Sequence, residues 1–233
     1  MRALELLAFG PLSAPKLAVA LHSDPRTVRR LLSRLEEEGY LRSTKDARRV
    51  YEPTMRLVAL AGQVAENSPL ARRARPYVAL LHEQTAVAAH LAVPSYQSVL
   101  CLVHRASEAD DGPPRVRELV PAHCTAGGKT LLAHRERWRE SVLSVRLERY
   151  TERTVVDPAT LRAELEDVRR TGYATEDGEY QERVRAIAAP VVVGGETLAA
   201  LTASGRKLDT EALATRVVAI ADQIADDLSD ARS

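Results

Sequence analysis

Apolar and polar positions follow two different rhythms along this chain. Over the first 84 residues the apolar side chains recur at helical spacing. They form the sets Leu4, Leu6, Leu7 and Phe9; Leu17, Ala20 and Leu21; Val28, Leu31, Leu32 and Leu35; and Leu57, Val58, Ala61 and Val64. Breakers separate the sets. Gly10-Pro11 ends the first run, His22-Ser23 makes a tight turn, and Gly39 stops the third helix. Ser13 suits the N-cap of the second helix; Asp24 and Pro25 suit the N-cap and first position of the third. Residues 40–42 and 50–52 read as strands around a polar segment, which predicts a hairpin. Helices are expected over 2–9, 13–21, 24–38, 55–66 and 70–84.

From Val87 the rhythm shortens to that of strands. Strands are expected over 87–93 and 98–104, with a turn at 94–97 and a polar loop over 108–114. Residues 120–133 read as a loop entering a helix, and 148–157 as irregular. A helix over 158–171 ends at Gly172. A hairpin follows around Gly194-Gly195, with strands over 187–193 and 197–203. A helix over 210–228 closes the chain.

Three short helices, a tight turn between the second and third, and a hairpin make a winged helix-turn-helix. Strands with flanking helices make the rest α+β. The expected organisation is a DNA-binding winged helix-turn-helix over 1–54, a helical linker over 55–84, and a small-molecule-sensing domain over 85–233.

Composition allows this reading and narrows it. The 233 residues are 45% hydrophobic and 28% charged, with a net charge of +1. So balanced a chain is not a general polyanion binder, and DNA contact has to come from local clustering. Residues 1–53 supply that, with 10 Lys/Arg against 7 Asp/Glu. Cys101 and Cys124 lack C-x-x-C spacing and build no disulfide framework, as expected in a reducing cytoplasm. The first ten residues carry Glu5 and are not a signal peptide, and no apolar run nears the ~20 residues of a membrane helix.

On the third helix, Arg26, Arg29, Arg30 and Ser33 centre opposite the leucine stripe, a face able to enter a major groove. Ser13, Thr27 and Arg34 complete the candidate set there. Lys45, Arg48 and Arg49 place three cations on the hairpin, suited to backbone or minor-groove contact. The plainer reading is a solvated basic face.

The stretch His123-Cys124-Thr125-Ala126-Gly127-Gly128-Lys129 joins small residues to a helix start. Its free N–H groups can hold an anion such as a carboxylate, or it is merely a tight junction. Thr202 and Ser204 alternate on one strand face. The acidic loop Asp177, Glu179 and Glu182 either lines a pocket mouth or is solvated. A ligand pocket is expected between residues 121–129 and 197–204, drawing on His123, Cys124, Thr125, Ala126, Gly127, Asp177, Glu179, Ala186, Thr202 and Ser204. No catalytic residue, metal site or cofactor is expected. Neighbours such as His123 and Cys124 seldom face each other as base and nucleophile, and His82, His90, His104, His123 and Cys124 lack zinc-ligand spacing.

Five motifs in order resemble the IclR (isocitrate lyase regulator) family of bacterial transcription factors. They are Thr27–Leu32 running on through Leu35–Leu41; Pro121–Lys129; Arg169–Ala174; Ile187–Val191; and Ala199–Gly205. The resemblance implies a winged helix, a linker helix and a GAF-like effector domain. It implies a homodimer, often a dimer of dimers, on double-stranded operator DNA, with small organic acids or aromatics as effectors and either sign of regulation. Arg183 stands where the family tends to have Gly. Two other readings stay open: a winged-helix protein whose second domain only oligomerises, and a small-molecule enzyme with a fused DNA-binding domain.

Overall fold

The computed structural model describes residues 2–8, 10–44, 49–106 and 118–230. Phe9, Lys45, Arg48 and the loop expected over 108–114 lie outside the described residues. The chain divides into two compact units, Met1–Asn67 and Ser68–Ser233.

The first unit holds α1 (Arg2–Ala8), β1 (Leu12–Ser13), α2 (Ala14–Ala20), α3 (Pro25–Glu37), β2 (Leu41–Ser43), β3 (Val50–Pro53) and α4 (Arg56–Asn67). Asp24 caps α3, its carboxylate accepting the Thr27 N–H at 2.9 Å, and Pro25 follows at the first turn. Ser13 holds the cap position of α2, but its side chain makes no capping hydrogen bond. Leu7, Leu17, Val28, Leu32, Leu41 and Tyr51 close the core. Leu31, placed on the leucine face by its spacing, is 41% exposed and sits at the edge of that face. The strands form one antiparallel sheet in the order β1-β3-β2. At two residues, β1 is too short to show a period of two, so the sequence carries no signal for it.

The second unit is mixed α/β. It contains α5 (Pro69–Thr85), β4 (Ala88–Ser95), β5 (Ser98–Arg105), β6 (Leu119–Pro121), α6 (Ala126–His134), α7 (Glu136–Leu143), α8 (Pro158–Thr171), β7 (Ala174–Asp177), β8 (Arg185–Val193), β9 (Glu196–Gly205) and α9 (Thr210–Asp230). The sheet order is β6-β5-β4-β9-β8-β7, with every neighbouring pair antiparallel.

Alternation across this sheet sorts its side chains onto two faces. Ala89, Leu91, Ile187, Ala189, Leu201 and Ala203 pack in the core that includes α5 and α9 residues. Ala92, Ala186, Ala188 and Ala200 face a second core containing α6, α7 and α8 residues. The alanines let α6 lie close. A Cβ on Gly128 would run into the Ala122 carbonyl, and one on Gly127 would stand 3.0 Å from Thr202 Oγ1. The glycines read from sequence as an approach for a ligand are therefore also an approach of helix to sheet.

Candidate functional site

In the first unit, α3 buries Val28 and Leu32 and exposes Arg26, Thr27, Arg29 and Arg30. A groove of about 660 Å³ brings Ser13 and Lys16 together with Arg29, Ser33 and Arg49. Lys16 was not singled out in the sequence because it lies on α2, away from the arginine-rich helix. Two of the expected cations are partly committed. Arg49 is 2.5 Å from Glu36, bonds Ser43 Oγ at 3.0 Å and lies over the Tyr51 ring at 5.3 Å. Arg34 stands 3.8 Å from Glu38, but both are largely exposed, so that pair holds it weakly.

In the second unit, one face of the sheet meets the start of α6 around a buried cavity of about 30 Å³, room for one or two waters. His90 on β4 pairs across the ladder with Thr202 on β9, and Ala88 with Ser204, so His90, Thr202 and Ser204 share that face. All three are buried, and His90 Nδ1, Thr202 Oγ1 and Ser204 Oγ have no hydrogen-bond partner. Each such atom costs ~1–3 kcal/mol when left unsatisfied. All three stand on one cavity wall. Burial lowers His90 to about 3, with the neighbouring His104 adding to the effect, so the imidazole is neutral. Val99, Val120, Val184 and Ala92 supply apolar parts of the remaining wall.

Six of the expected effector residues line this cavity: Thr125, Ala126, Gly127, Ala186, Thr202 and Ser204. Thr125 Oγ1 caps α6 by accepting the Gly128 N–H at 3.3 Å, and itself donates to the Pro121 carbonyl at 2.7 Å. The other four lie elsewhere. His123 Nε2 bonds the Glu148 carbonyl at 2.9 Å, and burial lowers its pKa. Cys124 is buried, which pushes its thiol far up, so no thiolate is available for nucleophilic chemistry. Asp177 is on the outward side of β7, paired with Arg153 at 3.0 Å and Arg185 at 3.1 Å, on a broad surface cleft. Glu179 is held 2.6 Å from the buried Lys129, which also pairs with Glu164. Burial alone would lower Lys129, but the two carboxylates prevail and raise it.

His90, Cys101, Glu176, Tyr180 and Gln181 also line the cavity and were not anticipated there. Glu176 was hidden by register: it is the inward neighbour of Asp177 on β7, and a one-residue step reverses the face. Its carboxylate accepts the Tyr180 N–H at 3.1 Å, and it lines the cavity together with Ala126 at the start of α6.

Among the described residues, no group of three or more His, Cys, Asp or Glu could hold a metal ion, and no helix is long and apolar enough to cross a membrane.

Residues 62–230 match the family described as bacterial transcriptional regulator IclR, C-terminal. The HTH-type transcriptional regulator BhcR of Paracoccus denitrificans is 32% identical over 214 residues, 88% of this chain and 75% of that protein. The Pca regulon regulatory protein of Pseudomonas putida is 32% identical over 76% of this chain, which spans 62% of its length. The crystal structure of an IclR homologue complexed with 4-hydroxybenzoate, from Microbacterium hydrocarbonoxydans, aligns with a TM-score of 0.69 at 29% identity, covering 94% of this chain and 91% of that one. These relatives are regulators rather than enzymes, and the chain belongs to the IclR family of bacterial transcriptional regulators, with an effector-binding C-terminal domain.

Proposed function

We propose that residues 1–54 form a winged helix-turn-helix that sets α3 in the major groove of operator DNA. α4 serves as the helical linker; α5, expected as part of the linker, packs into the core of the second unit, which serves as the effector domain. Arg26, Arg29 and Arg30 are the base-reading and phosphate-gripping residues, with Thr27, Ser33 and Arg34 beside them. Ser13, Lys16 and Arg49 hold the backbone along the groove they share with Arg29. Lys45 and Arg48 extend the same charge along the wing. The reading head works as one half of a dimer on an inverted repeat, with half-sites roughly one helical turn or a multiple of it apart. Met55, Val58 and Val64 are 75%, 51% and 65% exposed and supply an apolar stripe for pairing two α4 helices. Such a regulator acts in the cytoplasm, where the operator is.

The effector pocket is the cavity lined by His90, Thr202, Ser204 and the start of α6. The observation that carries this is the set of three buried polar atoms without partners on one wall. Apolar walls with a few hydrogen-bonding groups fit a small acid bearing a ring and a hydroxyl, the class of 4-hydroxybenzoate in the related structure. A cavity of about 30 Å³ is too small for a ring, so binding has to move a wall. The stretch between β7 and β8, which supplies Tyr180, Gln181 and Val184, is its least regular side. A ligand that favours the opened form shifts the population toward it, which is the thermodynamic requirement for control.

Thermal unfolding of the chain with 4-hydroxybenzoate and related hydroxy acids tests this. At 100 times Kd a single site adds ~2.7 kcal/mol to stability. The response should vanish in Thr202→Val/Ser204→Ala. A response that survives the double substitution would place the site elsewhere.

A further inference from the structure

The cavity presents an acid with an electrostatic difficulty. Among the described residues, no Lys or Arg lines it. The buried Lys129 on α6 lies nearby but is held by Glu179 and Glu164. His90 is buried and neutral. At the N-terminal end of α6, Ala126 and Glu176 both line the cavity. An effector carboxylate drawn to that end therefore meets the Glu176 carboxyl group. Two carboxylates in one water-poor site cannot both stay ionised.

We propose that this chain takes up its acidic effector together with one proton, shared between the effector carboxyl group and Glu176, so that effector binding weakens as pH rises. The proposal rests on reading the cavity as the effector pocket. One proton enters from water, no other bond is made or broken, and the carboxyl–carboxylate pair carries one net negative charge.

The groups facing Glu176 act in both directions. Burial dominates and holds its carboxyl group up at about 7. Glu179, from the stretch after β7, pushes the same way, while Lys129 and the Tyr180 and Ala126 N–H groups pull it down. Cys124 ahead of α6, Cys101 on β5 and the phenol of Tyr180 are protonated, because burial raises all three. With His90 neutral on β4, no facing group among the described residues brings a new positive charge. The proton is thus partly in place at neutral pH, and little work is needed to complete it.

The test is calorimetric titration of the full-length protein with 4-hydroxybenzoate from pH 6.5 to 8.5, in buffers of different ionisation enthalpy, for wild type and Glu176→Gln. Wild type should take up a fraction of a proton near pH 7 and close to one at pH 8.5. Its affinity should fall on the order of tenfold between pH 7 and 8.5. Glu176→Gln should bind with nearly pH-independent affinity and no proton uptake. If that variant fails to fold, the buffer dependence of wild type decides alone. Binding by wild type without proton uptake overturns the proton linkage and leaves the effector pocket standing. An absence of binding at every pH overturns the hydroxy-acid reading itself, and the linkage with it.

Discussion

His90 on β4 and Thr202 on β9 stand directly opposite each other across the ladder, and neither His90 Nδ1 nor Thr202 Oγ1 has a hydrogen-bond partner. A fold that only needed a stable sheet would place apolar side chains at both positions, as it does with Leu91 and Leu201 one step further along. The two orphaned groups cost stability, and on the proposed reading a bound effector would satisfy them.

Thr202→Val therefore separates the two roles. It keeps the shape and removes an unsatisfied hydroxyl, so the free protein should gain up to about 1 kcal/mol. Effector affinity should fall about tenfold, the equivalent of 1.4 kcal/mol. Denaturant titration and calorimetry on the same sample measure both signs. Equal losses in the two would make Thr202 a structural residue only.

The ion cluster around Lys129 should behave in the opposite way. Lys129 is fully buried between Glu179 at 2.6 Å and Glu164, so Lys129→Met leaves Glu179 charged and largely buried without its partner. That should cost ~3–5 kcal/mol. Adding Glu179→Leu should recover much of the loss, since Glu164 is 34% exposed and can be met by water. Chemical denaturation of the single and double variants checks the sign of the coupling. A double variant less stable than the single one would contradict it.

Much of this was legible in the chain itself. The spacing of Val28, Leu32 and Leu35, the Asp24-Pro25 start and the Gly172 stop fix helices with strong local signals. Thr202 and Ser204 could be placed on one face because alternation in a strand is strict. Glu176 and His90 could not be placed on the cavity. Nothing in the sequence says which of Glu176 and Asp177 points inward until the register of β7 against β8 is fixed, Glu176 opposite Ala186. His90 acquires its role from Thr202 on a strand 112 positions away, a pairing that only the tertiary fold makes. The short strands β1, β6 and β7 went unseen because two to four residues are too few to establish a period on their own, and α7 went unseen as well.

Arg183 illustrates a local rule broken in the folded chain. Its φ is +68°, a conformation that side chains with a Cβ adopt at a cost of ~1–2 kcal/mol, and the side chain is exposed. Glycine removes that cost but adds unfolded-state entropy of ~0.5–1 kcal/mol. Arg183→Gly should thus stabilise by about 0.5 kcal/mol and raise Tm by about 1–2 °C. Arg183→Val should lower it, because a β-branched side chain fits that region worst. Differential scanning calorimetry of the pair decides, and two shifts of the same sign would contradict the strain.

The carboxyl group of Glu176 gives a pH signature to stability. Burial raises its pKa from 4.5 to about 7 in the folded protein, so between these values the native state holds more proton than the unfolded chain. Stability must then fall as pH rises through that window. The contribution is about 3 kcal/mol, present below pH 4.5 and lost above pH 7. The stability difference between Glu176→Gln and wild type, followed by urea unfolding from pH 4.5 to 8, should grow in favour of the variant as pH rises. A difference that stays constant would mean that Glu176 is ionised throughout.

Control of DNA by the effector is measured most directly as affinity for a duplex selected from a random pool, with and without saturating 4-hydroxybenzoate. Coupling between the two sites of ~1–3 kcal/mol should change that affinity about 5- to 150-fold in wild type. Thr202→Val/Ser204→Ala should bind the duplex as the effector-free wild type does, whether or not 4-hydroxybenzoate is present. Arg29→Ala/Arg30→Ala should lose affinity in both conditions, ~1–3 kcal/mol for an arginine that reads a base. Wild-type affinity that is identical with and without bound effector, or a selected duplex held equally well after both arginines are removed, would contradict the mechanism.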